Sequence, residues 1–481
     1  MQQKLGFVIA GGKWEPTGTT PWRRLAFANG QEVLVPQLSD ALLDKLALRP
    51  QNLLADLSLN EIIAFLANVG KNWKSQEYSR RKLYILYLQK YLGYSQKAAE
   101  HEANWIAMLL CSHYRMFDTV AAELGSRHIL DQWCLREEAE VRAYPKGTVF
   151  HHLAGNVPLS GVASILRGII TKNDSLIKSS SDDPITPLYL ALSFMDVDSR
   201  HPVTRSMSVL NWDGEAGGSH AQRIIKLADC VCVWGGDSAI AWASTHAKPQ
   251  TDVLQFGPKR SMALVGKDAD LADAAQRLAH DISIYDQKAC FSIQQVFCAG
   301  DADVLISHLQ TEMARYARLV PKGQTDFDEQ ANWSLTALES IFLGCDTRQS
   351  PDCQHWAIVP CAPMAIDSHP LGRTVFVHQV ADLREALDFV DSTVQTVAAC
   401  PWSELRSLRD AFAKKGASRF VDLGLNNVFR VGGAHDGMFP LQRLVRYASM
   451  EFDSLYHVKG ITMKVDQTRF LEDDIFLELV P

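Results

Sequence analysis

The residue of this 481-residue chain best suited to covalent chemistry is Cys290, in the stretch Tyr285-Asp286-Gln287-Lys288-Ala289-Cys290-Phe291-Ser292. Upstream, Leu271, Ala274, Ala275, Leu278, Ala279 and Ile282 recur at three- and four-residue spacing, which predicts one apolar face of a helix. Downstream, Ile293-Gln294-Gln295-Val296-Phe297-Cys298 reads as a strand. A cysteine between a helix end and a strand start is held by rigid neighbours and can be aimed into a cleft, as a nucleophilic thiol must be. Cysteine is also among the most commonly buried residues, so on position alone a core thiol is the competing reading.

Three turns upstream carry groups that could serve such a nucleophile. Gly155-Asn156-Val157-Pro158 follows one expected strand and Lys178-Ser179-Ser180-Ser181-Asp182 the next. Trp234-Gly235-Gly236-Asp237-Ser238 precedes an expected helix, whose free backbone N–H groups could receive a phosphate. A Gly-Gly before a helix is also a common tight bend, and no Gly-x-Gly-x-x-Gly is present.

The elements that must position these turns alternate. Strands are expected at Thr148 to Leu153, Ser175 to Lys178, Ser206 to Leu210, Cys230 to Trp234 and Asp252 to Phe256. Helices are expected at Ser160 to Ile170, Pro184 to Phe194, Ser219 to Leu227 and Ser238 to Thr245. The alternation marks a doubly wound α/β fold with a parallel sheet, in which ligands sit beyond the carboxyl ends of the strands. The first 140 residues are mostly helical in pattern, with Leu59, Ile62, Ile63, Leu66 and Val69 on one face, and disclose no chemistry by themselves.

Apolar residues make up 47% of the chain, enough for the cores of two or three domains. A formal charge of −7 leaves no basic footprint for nucleic acid. No apolar run approaches the length needed to cross a bilayer, and Met1-Gln2-Gln3-Lys4-Leu5-Gly6 does not open a secretory signal, so a soluble cytoplasmic protein is expected. The ten cysteines lack Cys-x-x-Cys spacing and are expected as free thiols, Cys230 and Cys232 as core on one strand face. Adjacent His151 and His152 in a strand send their rings to opposite faces, so no metal site is expected there.

In order, Asn156, Lys178 after 22 positions, Gln255 after 77 more and Cys290 after a further 35 carry a resemblance to the aldehyde dehydrogenase superfamily. The chain most closely resembles its acyl-CoA reductase branch, typified by the fatty acid reductase of bacterial bioluminescence. The similarity extends through Gly432-Gly433-Ala434-His435-Asp436-Gly437 and Leu444-Val445-Arg446-Tyr447. It implies an aldehyde dehydrogenase-like α/β fold in three parts. Residues 1–256 would form a helical region and a doubly wound cofactor-binding domain, 257–430 an α/β catalytic domain, and 431–481 a segment with an oligomerisation strand, His457 to Val465, in a small sheet shared between subunits. The resemblance makes Cys290 the nucleophile and places Asn156 with the Cys290 backbone N–H in an oxyanion hole. It puts Lys178 at the adenosine ribose, with Ser181, Gly235 and Gly236 in the same cofactor site.

Departures from the family pattern inform the reaction. Where relatives carry a glutamate that activates water, this chain has Gln255, in Gln255-Phe256-Gly257-Pro258-Lys259, and an amide is not a useful proton acceptor. Oxidation of aldehydes needs that water, whereas reduction of a thioester needs it absent. Gln287 and Lys288 replace a common glycine and glutamine, which bears on loop shape. Ser368-His369-Pro370-Leu371-Gly372-Arg373 stands where many relatives place a glutamate on the nicotinamide ribose, so that ring must be positioned by other groups. Ser181 stands where an acid often selects against a ribose phosphate, which favours NADPH, although Asp182 and Asp183 adjoin it.

The resemblance therefore implies an NADPH-dependent reductase of long-chain acyl thioesters, acyl-CoA or acyl-protein, that releases an aldehyde. A partner acyl-protein synthetase and a homo-oligomer are implied with it. The alternative is a non-reducing subunit that accepts an acyl group on Cys290 and passes it to a partner protein. Chain length cannot be read, because an acyl tunnel is lined by ordinary apolar residues that look like core.

Overall fold

The computed structural model describes residues 3–451, apart from 17–20, 138, 215–216, 326, 343, 353–354 and 367, together with the backbone of 455–458 and 461–464. Two seven-stranded sheets organise it. The first runs in the order Asp252–Phe256, Cys230–Trp234, Thr148–His152, Asp174–Ser179 and Met207–Asn211, all parallel. An antiparallel hairpin, Phe7–Ile9 with Gly12–Trp14, completes its far edge. Its central strands are buried on both faces, which is why Cys230-Val231-Cys232-Val233-Trp234 reads as one apolar run and not as an alternation.

The second sheet begins four residues after the first ends. Its parallel strands are ordered Ala357–Pro360, Thr374–Gln379, Ile293–Cys298, Arg260–Val265, Val394–Cys400 and Arg419–Asp422, with Arg348–Gln349 antiparallel at one edge. The helix Leu271–Ser283 packs on it. Asp270 caps that helix by accepting from the N–H groups of Ala272 and Asp273, and Ala274, Ala275, Leu278, Ala279 and Ile282 are buried, as their spacing predicts.

The N-terminal region differs from the helical expectation at both ends. Helices fill Asp40–Ala47 and then Leu59–Lys74 to His113–Leu124, but residues before Asp40 form short strands, and Cys134–Arg136 and Ala139–Pro145 pair with Val445–Glu451 in a three-stranded sheet. Those strands are two to seven residues long, too short for a period to show. Helices from Leu59 to Leu124 share one core with the first sheet, so Leu66, Ile106 and Val120 pack in the same cluster as Ile165 and Leu190.

The expected terminal strand is instead a hairpin, Leu455–Val458 antiparallel to Ile461–Lys464, because Val458 pairs back on Ile461. Lys459, Gly460 and Val465 of that expectation lie outside the described residues. Among the described residues, nine cysteines are free thiols, no helix is long and apolar enough to cross a membrane, and no cluster of three or more His, Cys, Asp or Glu is spaced to hold a metal.

Candidate active site

The carboxyl ends of the first sheet and the Cys290 loop open into one cavity of about 770 Å3. Asn156, Lys178, Gly235, Gly236 and Cys290 all line it. Ser181 does not: its hydroxyl donates to Asp213, a carboxylate that Arg23 also holds at 2.8 Å.

The loop that presents Cys290 is strained and heavily braced. Tyr285, Asp286 and Gln287 have φ of 54°, 49° and 68°, three consecutive left-handed non-glycine residues, each costing on the order of 1–3 kcal/mol. Asp286 accepts from Arg373 at 2.7 Å and from the Gly323 N–H at 2.9 Å. The Gln287 amide donates to the carbonyls of Ile293 and Thr374 and accepts from the Thr374 N–H. The buried Glu102 carboxyl lies beside the Tyr285 hydroxyl and the Leu159 backbone N–H, so it links the Cys290 loop to the helix that follows Asn156. Burial lifts Glu102 to about 8, and its Oε2 has no partner, as suits a neutral acid.

The segment Ser368 to Arg373 has its place here and not in the cavity lining. Arg373, 2% exposed, braces Asp286 from behind the loop.

Around the sulfur, Val157, Ala289 and Phe291 form a small apolar cluster. Burial, with the Asp436 carboxylate adding to it, pushes the Cys290 thiol up to about 11. The Gln395 amide, 3.2 Å from Sγ, and the backbone N–H groups of Cys290 and Phe291 act in the opposite sense by donating to sulfur. Gln395 also donates to Asp436 at 2.6 Å. The Ser261 hydroxyl fixes the loop by donating to the Cys290 carbonyl at 2.8 Å. Arg419 adds a positive charge close enough to favour the thiolate, and it is held by the carbonyls of Asn426 and Val428 and the ring of Phe429.

Asn156 reaches the same loop. Its Nδ2 donates to the Lys288 carbonyl at 2.8 Å, which places an amide donor against the loop two residues before Cys290. Lys178, next to last in its strand, lines the cavity, and burial lowers its ammonium to about 8 against the pull of Asp213 and Asp182. The helix Asp237–His246 starts at Gly236 without a side-chain cap, and a Cβ at Gly236 would meet nothing within 4 Å. Open N–H groups, a cation and room for a ligand fit the phosphates and ribose of a dinucleotide.

Gln255 is displaced from the role expected of it. It is exposed, its amide 3.4 Å from the Ser244 hydroxyl, and outside the cavity lining, whereas Phe256 faces the cavity. Strand alternation turns neighbouring side chains to opposite faces, and here the apolar one is inside.

Residues 54–447 match the family described as acyl-CoA reductase (LuxC). The chain belongs to this family. The long-chain acyl-protein thioester reductase of Aliivibrio fischeri is 48% identical, over 89% of this chain and 89% of its own. The long-chain acyl-protein thioester reductase 2 of Photobacterium leiognathi is 45% identical over 100% of both chains. In fold, the chain resembles the crystal structure of an NADP-dependent glyceraldehyde-3-phosphate dehydrogenase from Bacillus halodurans C-125 complexed with NADP, at TM-score 0.69 and 15% identity, over 94% of this chain and 100% of that one. The fold is thus that of the aldehyde dehydrogenases.

For an acyl-CoA reductase, the more telling site residues are those that sequence reasoning missed. Gln395, Arg419 and Asp436 surround Cys290 from distant parts of the chain, and Trp105, Met108, Leu109 and Met116 bring N-terminal helices to the cavity. One signal existed: Gln395 and Thr396 open the strand Val394–Cys400 as a polar pair before an apolar run, and both are buried. His435 also reaches the cavity, packed on Phe429 and accepting at Nδ1 from Arg167 at 3.1 Å; burial keeps its imidazole neutral. His151 is fully buried against Ser164, and His152 lies edge-on to Trp242.

Proposed function

We propose that this aldehyde-forming acyl reductase takes a long-chain acyl group from a thioester, on a protein or on CoA, onto Cys290 and reduces it with NADPH. The observation that carries the reading is that one cavity joins the Cys290 thiol, the cofactor-side turns with Lys178 and Gly236, and an apolar wall of Trp105, Met108, Leu109 and Met116.

Cys290 as thiolate attacks the thioester carbonyl, and the donor thiol leaves with the electron pair of the broken C–S bond and a proton. Asn156 and the backbone N–H of Cys290 stabilise the oxyanion formed in that attack. Bound NADPH supplies a hydride. The resulting thiohemiacetal on Cys290 collapses to the aldehyde, returning the electron pair to sulfur. One thioester, one NADPH and one proton give one aldehyde, one thiol and NADP+.

Lys178, Gly235 and Gly236 would hold the cofactor, and Ser181, outside the cavity lining and bonded to Asp213, would at most border its adenosine end. In the same reading an acyl-protein synthetase supplies the acyl group, the enzyme is cytoplasmic, and the terminal hairpin meets a second copy. Residues 1–256, 257–430 and 431–481 are its cofactor, catalytic and oligomerisation parts, a division supported by the change of sheet between Phe256 and Arg260.

The test is NADPH consumption on adding long-chain acyl-CoA, with labelled acyl group followed onto protein. Wild type should consume NADPH and release aldehyde, and Cys290→Ala should abolish labelling and turnover while the fold survives. Labelling without NADPH loss would favour the non-reducing acyl carrier. A variant still labelled at another cysteine would move the nucleophile.

A further inference from the structure

Gln395 is 1% exposed, and both ends of its amide are engaged. One N–H goes to Cys290 Sγ at 3.2 Å, the other to Asp436 Oδ1 at 2.6 Å, and its Oε1 accepts from the Thr396 hydroxyl at 3.3 Å. An amide has two unlike ends, and a carboxylate accepts only, so Asp436 fixes which end faces the sulfur. Asp436 is itself set by an unusual backbone, with φ of 49°.

We propose that Gln395 is a catalytic hydrogen-bond donor to the reacting sulfur and that Asp436 is the positioning residue that keeps its N–H, and not its carbonyl, turned toward Cys290. The assignment rests on the reading of Cys290 as nucleophile. The donor serves at both ends of the cycle: it favours the thiolate before attack, and it receives the electron pair that returns to sulfur when the C–S bond of the thiohemiacetal breaks. It offers no base to a water molecule while doing so, which protects the acyl group from hydrolysis. Other charges bear on the same sulfur. Asp436 opposes the thiolate from the C-terminal segment, Arg419 favours it from the edge strand, and Lys259 and Arg167 act on Asp436.

The experiment is the pH dependence of Cys290 alkylation by iodoacetamide in the full-length protein without substrate, with the modified cysteine identified by peptide mapping. Gln395→Met, close in shape but without a donor, should raise the alkaline midpoint by about one pH unit and slow alkylation at pH 8 roughly three- to tenfold. Gln395→Leu provides a second variant should Met fold poorly. An unchanged midpoint with Cys290 still modified would overturn the donor role.

The positioning role needs a cycle, because Asp436→Asn also removes a charge that opposes the thiolate. In the Gln395→Met background, Asp436→Asn should lower the midpoint through charge alone. In the wild-type background it should lower it less, or raise it, because the amide is then free to turn. Equal shifts in both backgrounds would overturn the positioning role. Labelled acyl-CoA that acylates another cysteine and leaves Cys290 unlabelled in the wild type would instead sink the Cys290 reading itself, so the two failures are distinguishable.

Discussion

The two seven-stranded sheets meet at one cavity, yet they build their sides of it differently. The first presents groups at the ends of successive strands: Asn156 follows Thr148–His152, Lys178 lies in Asp174–Ser179, and Gly235 and Gly236 follow Cys230–Trp234. Each turn is contiguous with the strand that places it. The second sheet presents Cys290 on a loop whose conformation is unfavourable by itself and is imposed by Glu102, Gly323, Thr374 and Arg373, and brings Gln395 and Arg419 to the sulfur from two further strands. A side assembled from local turns tolerates change one position at a time, whereas one assembled from distant braces fails as a unit.

The largest expected effect falls where the two sides touch. Asn156→Ala removes the amide that now rests on the Lys288 carbonyl and would serve the oxyanion. Turnover should fall roughly one hundred- to one thousand-fold with little change in NADPH binding, as measured by steady-state kinetics and cofactor fluorescence. Collapse of cofactor binding with acylation untouched would place Asn156 on the wrong side of the comparison.

Next comes a brace of the loop. Asp286→Asn leaves the buried Arg373 guanidinium without its counter-charge. Because Asp286 is partly exposed, at 23%, the loss should be below that of a fully buried pair, about 2–3 kcal/mol in denaturant unfolding. Acyl-enzyme formation should fall with it. A variant of normal stability and normal labelling would show that the loop keeps its left-handed turns without this ion pair.

The legibility of the chain follows the same division. The strands Cys230–Trp234, Asp252–Phe256 and Ile293–Cys298 have the ends their sequence predicts, because short stretches rich in strand-forming apolar residues and bounded by turns are a local signal. Short strands such as Phe7–Ile9 and Cys134–Arg136 sit in small hairpins that are anchored by distant strands, Met207–Asn211 for the first and Val445–Glu451 for the second, and nothing local marks them. The same holds for Glu102, a lone acid on the buried side of the helix Gln96–Cys111, whereas the glycine-rich turn marks Asp436 locally but not its contact with Gln395.

Glu102 offers a sharper probe of the bracing through pH. Its folded value of about 8 lies above the ordinary glutamate value of 4.5, so the unfolded chain loses this proton first as pH rises. Wild type should therefore lose stability from this group between about pH 4.5 and 8, by about 1.4 kcal/mol per pH unit at most. Asp174 and Asp183, each lifted to about 6 by burial, contribute with the same sign over a lower range. Glu102→Gln isolates the single group, since its neutral amide has no proton to lose. The difference in unfolding free energy between variant and wild type should grow with pH through this window. A difference that stays flat would mean that Glu102 is ionised in the fold and that Tyr285 is held by a charge.

The smallest expected effect is also the one that separates sequence from structure most cleanly. On sequence, Gln255 stands where a glutamate would activate water, so restoring the acid should open a hydrolytic leak from the acyl-enzyme. In the fold, Leu254 and Phe256 are buried while Gln255 turns outward to Ser244, and the period of two along a strand leaves it no route to the cavity without reversing its neighbours. Gln255→Glu should then release no more free fatty acid from acyl-CoA in the absence of NADPH than wild type does, at pH 7 or at pH 9. The higher pH matters, because a carboxyl drawn into an apolar site would ionise late and hide its activity near neutrality. Phe256 lines the cavity and Gln395 engages Asp436, and neither is touched by the substitution. A clear rise in hydrolysis would show that the strand end turns over during catalysis, bringing residue 255 to face Cys290.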